Sequence, residues 1–380
     1  MDTITPLPSL PFLENWLAYN ADALYLGASE YPLYSDAKID GTIMLEFGPY
    51  SFSNTMLRKN APGEARVPMV LRLALHTPGT APDLSKTDAA RYHGGDMPDE
   101  IAALASLCMG IRLRAGPESR RFKFGEQYGH LGQWDSRATP TLGAFRDGLV
   151  LPHVLQGSWS NLHRLASLQR FSSAAAVALV RAARLYQDAL WIAESEPALA
   201  WLMFVSALET AANYWTAESG TIVERFTHHK PDLVDELRAV GGEALVESVA
   251  MQIEHTLGAT KKFVGFVLEY LPDPPDESMR PTASTRISWE PKLMKKMLGT
   301  IYGYRSNALH GGQPMPAPMC KAPFRFSGDQ PTEIGIIGTA ASTKGGVWKA
   351  VDVPINLHAF HYIVRGVLLR WWDGMAASAA

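Results

Sequence analysis

The chain has 380 residues, of which 47% are hydrophobic and 19% charged, with ten tryptophans and a formal net charge of −3. That length exceeds one ordinary domain, and so much apolar material excludes global disorder. The balance of charge gives no overall basic field of the kind that drives non-specific nucleic-acid binding, so any RNA contact has to come from local patches.

The first six residues, Met1-Asp2-Thr3-Ile4-Thr5-Pro6, lack the basic region and apolar run of a leader. Residues 1 to about 155 are rich in Pro and Gly and carry short alternating or apolar runs. The run from Ile39 to Phe47 and that from Val67 to Leu75 read as strands bounded by turn signals. Between them and the middle of the chain, Tyr92-His93-Gly94-Gly95-Asp96 reads as a turn. A helix then opens at Pro98 or Asp99, with Ile101, Leu104, Leu107, Cys108 and Ile111 at helical spacing, and is expected to run to Gly116-Pro117. Arg120-Arg121-Phe122-Lys123-Phe124 reads as an exposed strand, although RNA binders also interleave basic and aromatic residues.

The pattern changes near residue 160. Ser172 or Ser173 caps a helix expected to reach about Ser195, and Pro197 opens a second one through Trp215. That second helix is the most apolar in the chain, but Glu209 and Asn213 interrupt it, so it reads as buried rather than membrane-spanning. Further helices are expected from Pro231 to Val240, stopped by Gly241-Gly242, and from Ala244 to Leu271, stopped by Pro272. A Pro-rich loop leads to a helix that starts at Pro291 and ends in Tyr304-Arg305-Ser306-Asn307-Ala308-Leu309-His310-Gly311-Gly312. A short strand is expected over Thr332 to Ile337, and a last helix from about Ile355 to Met375. The expected fold is therefore α+β. A mixed α/β domain over 1–158 precedes an all-α bundle over 159–380, with a Gly/Pro-rich insert at about 312–353.

Arg305 and His310 carry the most chemistry. Histidine moves protons near neutral pH, and guanidinium grips phosphate oxygens in a planar fork. The bare Arg-x4-His spacing is weak, since a chain of this length contains roughly half a match by chance. A looser spacing also finds Arg146 and His153, in a Gly- and Pro-containing loop. Context favours the first pair: the end of a late helix, with polar Ser306 and Asn307 between and glycines closing it. Five positions on a regular helix place the two side chains about 140° apart with about 7.5 Å of rise. They converge on one phosphate only if the helix end unwinds, or if two chains present their motifs across a two-fold axis.

The paired long helices with Ala207-Leu208-Glu209 in the second, followed by Tyr304 to Gly311, resemble the HEPN superfamily, nearest its bacterial Apea-like domains. The resemblance covers about residues 165–376, and its specific part is the short motif. It implies a metal-independent endoribonuclease, often dimeric, of toxin–antitoxin, antiviral defence or RNA-processing systems. Arg305 and His310 match the family's invariant pair. Ser306 stands where active members usually carry Asn, Asp or His, with Asn307 adjacent, and Glu209 is placed to contact Arg305. The implied chemistry is internal transesterification by the ribose 2′-hydroxyl, with His310 as base or acid and Arg305 on the phosphorane charge. The alternative is a non-catalytic HEPN scaffold for dimerisation or for ligand or nucleotide binding, in which Arg305 simply bridges Glu209 and His310 ends a helix.

Lys292, Lys295 and Lys296 on the motif helix are candidate RNA-steering residues, against the plainer reading of a solvated face. His358 and His361 lie three apart on the last helix, but no carboxylate or cysteine completes a metal set, so they read as structural. Cys108 and Cys320 are far apart and lack metal-ligand spacing, which fits a reduced compartment. No cofactor is expected. The protein is expected to be cytoplasmic, a homodimer, an RNA binder and not a membrane protein, with a regulatory partner or ligand at its N-terminal domain.

Overall fold

The computed structural model describes residues 10–40, 44–55, 64–77, 84–132, 137–143, 148–215, 221–253, 258–325, 330–343 and 345–379. The N-terminal half begins with α1 (Pro11–Asn20), opened by a proline that suits the first helical position. Strand β1 (Gly27–Ser35) precedes the short β2 (Lys38–Ile39); β3 (Met44–Phe47) and β4 (Tyr50–Asn54) form a hairpin, and β5 (Arg66–Leu75) returns along β1. After α2 (Met97–Met109) come β6 (Arg114–Ala115), β7 (Arg120–Phe122) and β8 (His130–Leu131). The sheet order is β3-β4-β5-β1-β7-β8, with β6 also on β1, and every pairing is antiparallel.

The alternation in β5 turns Met69, Leu71 and Leu73 to the covered face, where Phe12, Leu13 and Trp16 of α1 are also buried. Asn15 ties helix to sheet: its side chain donates to the Ala74 carbonyl at 2.9 Å and accepts from the His76 amide at 2.8 Å. Gly48, between β3 and β4, has φ +57 and lies so near the Trp16 indole that an added Cβ would overlap it.

Two expectations in this half need correction or restriction. Helix α2 stops at Met109, not at Gly116-Pro117, because Gly110 adopts a left-handed conformation (φ 72) and its amide donates back to the Ser106 carbonyl at 2.8 Å. Ile111 stays buried, but in the bend just past the helix. The strand expected over 39–47 is seen only at its two ends, since residues 41–43 lie outside the described residues.

The chain then passes a 3₁₀ turn (Pro152–Leu155), β9 (Gln156–Gly157), which pairs with β2 in parallel, and a 3₁₀ stretch from Trp159 to Arg170. Helix α3 (Ser173–Ile192) starts where Ser172 Oγ accepts from the Ala175 amide, and α4 (Pro197–Trp215) packs on it. Next come α5 (Ile222–His229), α6 (Pro231–Ile253), α7 (Ala259–Glu269) and α8 (Pro291–Gly311). A hairpin of β10 (Ala340–Thr343) and β11 (Gly346–Lys349) precedes α9 (Leu357–Ser378), whose Phe360 stacks on Trp201 of α4 at 4.5 Å.

Helix α6 breaks at Gly242 (φ 66, ψ −168), the stop expected there. The single helix expected from Ala244 to Leu271 is corrected to two pieces, because left-handed Gly258 (φ 67) starts α7 afresh. Thr332 to Ile337 is not a strand either. Its backbone carbonyls are taken by the start of α9, with Asn356 Nδ2 donating to those of Thr332 (2.9 Å) and Ile334 (2.6 Å). No described helix is long and apolar enough to cross a membrane.

The protein is thus mixed α and β, an N-terminal sheet followed by a helical region. The compositional change near residue 160 does not divide the core, since one cluster of buried apolar residues runs from Leu10 through Leu104, Leu179 and Phe204 to Trp372. Arg112, wholly buried, bridges the two halves: it donates to Asp36 at 2.7 Å, to Glu194 at 2.5 Å and to the Leu190 carbonyl at 2.9 Å.

Candidate functional site around Arg305

Helix α8 runs unbroken through the motif and ends at Gly312, whose left-handed backbone (φ 63) lets its amide cap the Asn307 carbonyl. The inward face of α8 carries Met294, Leu298 and Ile301, all buried against the core, and Arg305 continues that face one turn further. Glu209, the one charged residue on α4, meets it there. Arg305 Nη2 donates to Glu209 Oε2 at 2.5 Å, and Tyr302 donates its hydroxyl to Glu209 Oε1 at 2.7 Å. Both carboxylate oxygens are therefore occupied by side chains three positions apart on α8. Burial, and then the neighbouring Glu209 carboxylate, push the Tyr302 hydroxyl up to about 12, so it remains a donor across the physiological range.

The Arg305 guanidinium lies 5.7 Å from the centre of the Tyr302 ring, within cation–π range. Its Nε is shielded from solvent and has no hydrogen-bond acceptor among the described residues. One edge of the guanidinium is thus held by Glu209, while a donor on the other remains unsatisfied.

His310 is exposed, in the last turn of α8. Because the helix does not unwind between the two residues, they stay on different faces, about 140° apart. A single chain does not bring Arg305 and His310 to one phosphate. Ser306 is partly buried and Asn307 exposed, both within the same turn and a half.

Lys292, Lys295 and Lys296 are exposed near the start of α8. Eighteen positions separate Lys292 from His310, which is five full turns, so the two share a face about 27 Å apart along the axis. Gly299 and Gly303 lie between them on that face, and a Cβ added to either would meet nothing within 4 Å. The lysines accordingly align with His310 and not with Arg305.

A second group of titratable residues, read one by one in the sequence, comes together in the structure. His358 and His361 are both buried, and His361 Nε2 is 2.7 Å from the Tyr186 hydroxyl. His153 sits beside His358 with ring centres 6.0 Å apart, while Arg146 lies outside the described residues. Nothing in the local sequence of His153 points to His358, because the two meet only when the 3₁₀ turn packs on α9. His93, in the expected turn, is likewise buried and bonds Glu100 at 2.8 Å. No family model, no curated protein and no solved structure matches this chain.

Proposed function

We propose that this protein is an RNA-cleaving enzyme of the HEPN type whose site is completed by a second copy of the chain. One observation carries the reading. Arg305 is held by Glu209 and Tyr302 with its Nε–H left without an acceptor, on the same helix end as a solvent-exposed histidine. A phosphate oxygen pairs with the part of the guanidinium that stays exposed, 18% of the side chain, and His310 exchanges a proton with the 2′-hydroxyl or the leaving 5′-oxygen. The face of α8 that carries His310 also carries bare Gly299 and Gly303, where a second backbone can approach closely, so two copies of α8 crossing there bring their exposed His310 faces together. The exposed lysines on that face supply a positive track for the strand.

Incubated with single-stranded RNA in EDTA, the protein yields fragments ending in a 2′,3′-cyclic phosphate. His310→Ala and Arg305→Ala each reduce the rate by about a hundredfold or more. RNA left intact by the wild-type protein overturns the proposal.

A second reading is favoured by the Arg305–Glu209 ion pair itself. It neutralises the cation that would grip phosphate, and suits a non-catalytic scaffold in which α8 holds α4 in place. In that case Arg305→Ala lowers stability and changes no RNA-dependent activity.

A further inference from the structure

Away from Arg305, the described residues enclose a cavity of about 680 Å³ where the two halves of the chain meet. The first half contributes Asp40 and His153; the second contributes Trp159, Trp289, just before α8, and His358 and Tyr362 of α9. Its size suits a small organic ligand.

Four properties define what fits. The Trp289 and Tyr362 rings stand at 90° with centres 6.1 Å apart, forming an aromatic corner. The Trp289 Nε1–H is shielded from solvent and has no acceptor among the described residues, an unfavourable state for a buried indole donor. Burial holds His358 down to about 4 and lowers His153 as well, so both imidazoles are neutral at pH 7. His358 Nε2 donates to the Thr332 carbonyl, which leaves Nδ1 as a lone pair.

Charge decides the ligand class. Asp40, Asp276 and Glu333 line the cavity, whereas among the described residues no lysine or arginine does. Arg325 lies close enough to influence both histidines, but it is not among the lining residues. Glu333 is occupied by Arg280 (2.8 and 2.9 Å) and the Ile287 amide (2.8 Å). Asp40, bonded to Lys38 at 2.6 Å and Gln156 at 3.1 Å, keeps lone pairs for further donors. The nearby cations Lys38 and Arg280 are thus engaged by Asp40 and Glu333, and an anionic group would have to compete with those carboxylates for them.

We propose that this cavity binds an uncharged planar heteroaromatic compound of nucleoside size. Its ring lies in the Trp289–Tyr362 corner and accepts from Trp289 Nε1, and its hydroxyls donate to Asp40. The inference does not depend on RNA cleavage at Arg305.

The test is calorimetric titration of the full chain with adenosine, and with adenosine monophosphate as the charged control. Adenosine binds once per chain, and the monophosphate binds at least about tenfold more weakly. Trp289→Phe keeps a ring but lacks the N–H, and it weakens adenosine binding about three- to tenfold while leaving the melting temperature unchanged. Asp40→Asn, at the exposed rim, narrows the gap between the two ligands, and it answers the question should Trp289→Phe fail to fold. The proposal is overturned by the absence of adenosine binding at millimolar concentration, by a monophosphate that binds as well as adenosine, or by a gap that Asp40→Asn leaves unchanged.

Discussion

Glu209 is the residue on which the Arg305 region turns, since each of its oxygens accepts from a different side chain of α8. Glu209→Gln keeps one carbonyl oxygen but removes the charge, leaving Arg305 partly buried without its counter-ion. A loss of about 1–2 kcal/mol is expected, moderated by the partial exposure of both groups, and a urea titration measures it. The buried histidines make a separate prediction. His358 is lowered to about 4, and His361 and His153 are lowered as well, each chiefly by burial. Unfolded, each takes up a proton near pH 6.5. The unfolded state therefore binds more protons below that pH, and stability falls as pH drops from about 6.5 towards 4, while these groups contribute no slope above it. Urea midpoints at pH 7.5 and pH 5 check this, with the lower midpoint expected at pH 5. Glu209 was legible in the sequence because a carboxylate inside an apolar helix needs a partner. The His153–His358 pairing was not, since 205 positions of chain separate the two residues and only packing joins them.

At the scale of elements, α8 carries two faces with different work. Arg305 lies on the face packed against the core, and His310 shares the other with the lysines and with Gly299 and Gly303. Gly303→Leu separates folding from assembly, because leucine favours a helix over glycine by up to about 1 kcal/mol and the position is open. Under the two-copy proposal it raises thermal stability yet abolishes dimerisation and RNA cleavage, as read by sedimentation and by the cleavage assay. Unchanged cleavage by this variant would sink the two-copy arrangement. Helix starts were well marked by Ser172, Pro197 and Pro291, whose chemistry is local. Ends were less so. Gly110 and Gly258 interrupt helices by taking left-handed backbone conformations, and apolar spacing continuing past them hid the breaks.

Over the whole molecule, the shared core and the buried Asp36–Arg112–Glu194 group join what composition divides near residue 160. Arg112→Ala strands two buried carboxylates, and a cost of about 3–5 kcal/mol is expected. Because Arg112 ties Asp36, just past β1, to Leu190 and Glu194 at the end of α3, the loss appears as one earlier unfolding transition rather than as selective melting of one half. Far-ultraviolet circular dichroism and tryptophan fluorescence should then trace the same curve, and two separated transitions would show the halves to be independent. The cavity belongs to this scale too, since its walls come from both sides of the compositional boundary.

Local chemistry in the sequence was enough to determine the α+β character, most helix starts, the Gly242 break and the glycine end of α8. Hydrophobic periodicity, caps and turn residues act within a few positions of the chain. Tertiary structure alone decided that Tyr302 joins Arg305 on Glu209, that Thr332 to Ile337 serves the start of α9 instead of a sheet, and that His153 and His358 share a cavity. Each of these depends on which distant groups satisfy a buried donor, carbonyl or charge, and that choice is made by packing.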